Sequence, residues 1–152
     1  MRRLLIPLIL PVAVAWVKKQ ERRILSAGVP LNQEQLRDAA AAGVKHAERV
    51  RLLRVQTIPS VRPRAVNALA LKLRLLSPHT AGLTARYGIF IREDFWKNRA
   101  LVAHELAHTA QYERLGGIKA FLRDYLSECL VEGYPFGPLE AEAAKAAQQI
   151  CG

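Results

Sequence analysis

Cysteine is scarce in this chain: Cys129 and Cys151 are the only two in 152 residues, they match no metal-ligand spacing and no redox motif, and so they exclude a thiolate metal site and a dithiol redox centre. Both are expected to pack as small apolar groups. Acidic residues are also few, 13 Asp and Glu against 23 Lys and Arg for a net charge of +10, a balance that suits an anionic partner such as nucleic acid or a phospholipid surface. The bases are spread along the chain, however, with no nucleic-acid-binding signature and no aromatics interleaved among them. Nucleic acid is therefore not an expected partner. Missing too is an apolar run long enough to span a bilayer, because the N-terminal stretch Leu4–Val17 holds only 14 uncharged residues and contains Pro7 and Pro11, where about 20 are needed.

That stretch lies between Arg2-Arg3 and the bases Lys18, Lys19, Arg22 and Arg23. A signal peptide is one reading, since Ala13-Val14-Ala15 resembles a cleavage site, although positive charges directly after it oppose export. We favour an anchor lying on or in an anionic membrane surface, on the cytoplasmic side. A hydrophobic first helix docked on the domain is the third reading. The chain accordingly divides into a hydrophobic and basic segment, 1–23, and a domain, 24–152; 152 residues at 51% hydrophobic content are ample for one core.

The stretch that carries chemistry is Val102–Arg114, VAHELAHTAQYER. On a helix, His104 and His108 sit one above the other, so both imidazoles can converge on one divalent metal, and Glu105 lies about 100° round from His104. This HExxH pattern belongs to zinc hydrolases, in which two His bind Zn²⁺ and the Glu takes a proton from the attacking water. Ala100, Ala103, Ala107 and Ala110 favour helix, Asp94 can cap its start, and Gly116-Gly117 supply the stop.

Around it, Asn32 and Gln35 form a capping box for a helix ending near Gly43, and Val50–Ile58 reads as a strand bounded by Pro59. Arg64–Leu76 reads as a helix, followed by a turn that carries His79 as a surface histidine. Leu83–Arg92 reads as two short strands joined near Tyr87-Gly88, with Gly88–Arg92 either the candidate sheet edge for an extended substrate or part of an ordinary buried hairpin. Ile118–Glu132 has a helical apolar period. Pro138 then fits the first position of a last helix, which puts Glu140 in its first turn, 32 residues after His108. Glu140 and Glu142 are about 200° apart on that helix, so only one of them can reach the metal.

HELAH followed by PLEAEA resembles the gluzincin zinc metallopeptidases reduced to a minimal domain, and also small bacterial HExxH proteins with a hydrophobic N-terminus. The resemblance covers roughly residues 83–148. It implies an α+β, mostly helical, zincin-like single domain with a small antiparallel sheet beside the HExxH helix. It implies Glu140 as third zinc ligand with His104 and His108, Glu105 as general base, and a peptide or protein substrate. Where several gluzincins follow the ligand with an aspartate that holds the first histidine, this chain has Ala144, so support for His104 has to come from Glu142 or a backbone carbonyl. Tyr134 and Tyr112 are the candidate donors to the oxyanion, with Tyr134 before Glu140 the preferred one. The competing reading is a zinc-binding, membrane-associated interaction module without turnover. Glu105 argues against it, because a structural zinc site has no need of a carboxylate at that position.

Overall fold

Residues 2–60, 80–132 and 137–152 are described by the structure, a computed structural model of the chain. The apolar N-terminal stretch and the bases after it form one helix, α1 (Ile6–Ala27), with Pro7 in the first turn, where its missing N–H is no loss, and Pro11 tolerated inside. The helix stops at Gly28. A Cβ there would lie 2.7 Å from the Ile24 carbonyl oxygen and 2.9 Å from that of Leu52, so glycine lets the chain turn directly into the sheet.

This helix corrects the division at residue 23, which falls in its interior. Ile6, Leu10, Val17 and Ile24 are buried in the main core with Phe90, Tyr112, Phe121 and Leu126. The docked-helix reading is therefore the one that describes α1. A segment that is apolar all round has an inward face that no alternation reveals, which is why residues 1–23 read as a segment apart from the domain. The polar end is tied down as well: Glu21 accepts two hydrogen bonds of 2.8 Å from the Arg86 guanidinium and one of 3.1 Å from the Tyr87 backbone N–H.

The second helix, α2 (Gln33–Ala41), starts at the capping box of Asn32 and Gln35. A two-residue strand that was not expected, β1 (Val29–Pro30), follows α1, and β2 (Arg51–Val55), β3 (Gly82–Ala85) and β4 (Gly88–Arg92) form at the expected positions. They form a sheet of order β1-β2-β4-β3. Its outer pairs are antiparallel, but β2 and β4 run parallel, so the sheet is mixed where an antiparallel one was expected. The reading of Gly88–Arg92 as the sheet edge is likewise corrected, and the buried hairpin is the alternative that holds. Strand β4 is paired on both sides, and its run Gly88-Ile89-Phe90-Ile91 is wholly buried, as a continuous apolar stretch between two partners should be. Among the described residues the edge beside it is β3.

The motif helix α3 (Arg99–Leu115) is capped by Asn98, whose side chain accepts from the Leu101 N–H at 3.0 Å; Asp94, the expected cap, pairs instead with Arg92. It ends at Gly116, left-handed at φ 101°. After Gly117, α4 (Ile118–Glu132) packs back against α1 and α3, and α5 (Pro138–Cys151) lies along α3. The result is a mostly helical α+β domain with the sheet beside α3. Cys129 packs as expected, its thiol pushed up to about 12 by burial, whereas Cys151 sits exposed at the last turn of α5. No helix among the described residues is long and apolar enough to cross a membrane. The expected helix Arg64–Leu76 and His79 lie outside the described residues.

Candidate metal centre

Helix α3 presents His104 and His108 one turn apart, with ring centroids separated by 4.9 Å. The first turn of α5 brings Glu140 to both of them: the Nε2 of His104 lies 2.9 Å from one carboxylate oxygen, and that of His108 lies 3.0 Å from the other. One donor atom from each of the three residues falls within 4.8 Å of the others. Around a tetrahedral zinc with bonds of 2.0–2.1 Å, donor atoms stand about 3.3 Å apart, so two imidazoles and a carboxylate this close fit such an ion with small side-chain adjustments. Of the two glutamates on α5, Glu140 is the one at the cluster. Glu142 points elsewhere, accepting from Arg114 at 2.9 Å and from Gln111 at 3.1 Å.

Without a metal the cluster is an ion pair. Burial acts to lower the pKa of His108, but its bond to Glu140 and the charges of Glu105 and Glu140 outweigh that and raise it to about 9. Burial likewise acts to raise Glu140, and the bonds from His104 and His108 overcome it, holding the carboxyl well below the usual carboxylate range. A divalent ion would replace this pairing and displace the proton on His108.

Glu105 is buried beside the cluster, 5% exposed. Its carboxylate accepts from the Thr84 hydroxyl at 3.3 Å, and the same hydroxyl lies 3.0 Å from the Glu105 backbone oxygen, which ties the motif helix to β3. Burial raises its pKa, against the opposing charges of His108 and His104. The first residue of β3 has to be small: a Cβ on Gly82 would stand 3.0 Å from Cγ of Glu105. No family model, curated protein or solved structure matches this chain. The resemblance to gluzincins therefore rests on His104, Glu105, His108 and Glu140 themselves.

Three side chains serve the site that sequence reasoning missed. Gln111 accepts from Nδ1 of His108 at 2.8 Å and donates its amide to the Leu139 carbonyl at 2.9 Å and to Glu142. This fixes the Nδ1–H tautomer, leaves Nε2 of His108 as the ligand atom, and joins α3 to the start of α5. Glu142, expected to support His104, is instead linked to His108 through Gln111. Tyr125 on α4 donates at 2.7 Å to the same Glu140 oxygen that meets His108, and Thr84 is the third. Tyr112 is excluded as an oxyanion donor, being 1% exposed, stacked on Phe121 at 3.8 Å and bonded to the Thr84 carbonyl. Tyr134 lies outside the described residues.

Gln111→Leu keeps the volume but removes both halves of this bridge. It is expected to weaken metal binding by about 10- to 100-fold, as loss of an outer partner of a ligand does. Competition with a chromogenic chelator reads this directly, and an unchanged affinity would remove Gln111 from the site.

Proposed function

We propose that the chain is a zinc-dependent metallopeptidase. The observation that carries this reading is the division of labour among the acids: Glu140 spans both histidines, while Glu105, equally buried, is held beside them by Thr84. A site needed only to hold a metal has no use for the second carboxylate.

His104, His108 and Glu140 would bind the ion, which when present acidifies a water and polarises the scissile carbonyl. Glu105 accepts the proton of the attacking water on its carboxylate and returns it to the leaving amine. Its burial supports the role, since a raised pKa makes the carboxylate a stronger base. Tyr125 and Gln111 keep Glu140 and His108 in place. The substrate is an extended peptide laid along β3, the strand whose Gly82 end lies against Glu105, by strand addition. The protein's location is peripheral, on the anionic membrane surface of the cytoplasmic side.

The test is reconstitution. Chelator-stripped protein is expected to cleave nothing in a broad peptide library and to recover activity with about one equivalent of Zn²⁺. At pH 7 the uptake should release the His108 proton, visible as a heat that depends on the buffer, because this group titrates at about 9 in the metal-free site. Cleavage that survives stripping would set the reading aside.

A further inference from the structure

Helix α1 has two faces of different chemistry. The inward face carries Ile6, Leu10, Val17 and Ile24 together with Glu21, the helix's only acidic residue, which is 5% exposed and engaged by Arg86. The outward face changes character along its length. Leu4, in the 3-10 turn that leads into the helix, is 75% exposed, and Leu8 and Val12 follow it at 72% and 37%. Lys18, Lys19 and Arg22 are exposed about two to three turns further on. At 100° per residue, Leu8, Val12, Lys18, Lys19 and Arg22 fall within an arc of about 120°, so the apolar and cationic parts form one continuous strip. No carboxylate interrupts it.

We infer that this outer strip of α1 is the surface by which the folded domain lies on an anionic phospholipid bilayer. The leucines would enter the boundary between headgroups and acyl chains, and the cations would meet the phosphates. Since the opposite face is committed to the core, the helix lies flat in the interface as part of the domain. Charge decides the occupant. A purely apolar partner would gain nothing from three cations on the same strip, whereas an anionic surface attracts them and gains the leucines as well. The inference rests on the peripheral location proposed above and is independent of peptide hydrolysis.

Flotation of the full chain with vesicles tests it, using phosphatidylcholine alone and phosphatidylcholine mixed with phosphatidylglycerol. Wild type is expected on the mixed vesicles, less on the neutral ones, and less again as salt rises. Two variants at exposed positions separate the two halves of the strip. Leu4→Ser with Leu8→Ser should lower partitioning to both vesicles by at least about tenfold. Lys18→Glu, Lys19→Glu and Arg22→Glu together should remove the preference for the mixed vesicles, at about fivefold per charge. Wild type bound to neither vesicle overturns both the location and the face, as does a dimer that the leucine variant breaks. Wild type bound while both variants bind equally well overturns the face alone. Glu105→Gln should float as wild type does, whether or not the protein cleaves peptides.

Discussion

Glu140→Ala will strip the site of its metal while leaving the domain folded. Among the described residues, the carboxylate it removes is the one group that touches both histidines from another helix, at 2.9 and 3.0 Å, so the variant takes the third ligand from two imidazoles on one helix face. A lost ligand costs more than the roughly 10- to 100-fold typical of an outer partner, so the affinity should fall by more than about two orders of magnitude. Glu142→Ala is the matched control. It removes the Arg114 pair and one bond to Gln111, both outside the cluster, and should retain metal with a modest loss. Metal content after dialysis ranks the two, and the reverse order would move the third ligand to Glu142.

The second large effect is on stability. A chain that starts near Gln20 loses the first three turns and more of α1, and with them Ile6, Leu10 and Val17 from the main core. Truncating a buried aliphatic side chain costs about 2–5 kcal/mol, and a domain holds about 5–15 kcal/mol in all, so deleting three exhausts the reserve. The shortened chain is expected to show no cooperative unfolding transition and no near-ultraviolet circular dichroism. A truncated chain that melts cooperatively would restore the separable segment that the sequence alone suggested. Ser at Leu4 and Leu8, by contrast, should scarcely move the transition, because both side chains already face water.

What was legible follows from the range of each interaction. The i, i+4 spacing of His104 and His108, the alanines around them and the glycines after Leu115 are local, and α3 forms where they place it. The apolar period of α4 and the proline that opens α5 are local too, and they brought Glu140 to the right face. Gln111 could have been read in the same way, since it stands three residues after His108 on the same helix. Tyr125 and Thr84 could not, because they reach the site from α4 and β3, and nothing in their neighbours marks the contact. The strand order was also hidden. The strands β2, β3 and β4 read correctly one by one, but the parallel pairing of β2 with β4 is decided by where the β3–β4 hairpin docks, and that put β3 rather than β4 at the edge beside Glu105.

Glu105 is assigned the role of base beside a metal held by His104, His108 and Glu140, and one substitution separates that role from metal binding. Glu105→Gln preserves size and the bond from Thr84 but cannot accept a proton. Wild type and variant, loaded with zinc and assayed on the same peptide library with metal content and melting temperature measured on the same samples, should share metal and stability. Wild type should cleave, and the variant should be slower by about 10²-fold or more. Equal cleavage by the two, or a metal-loaded wild type that cleaves nothing, would contradict the account and leave a zinc-binding module in its place.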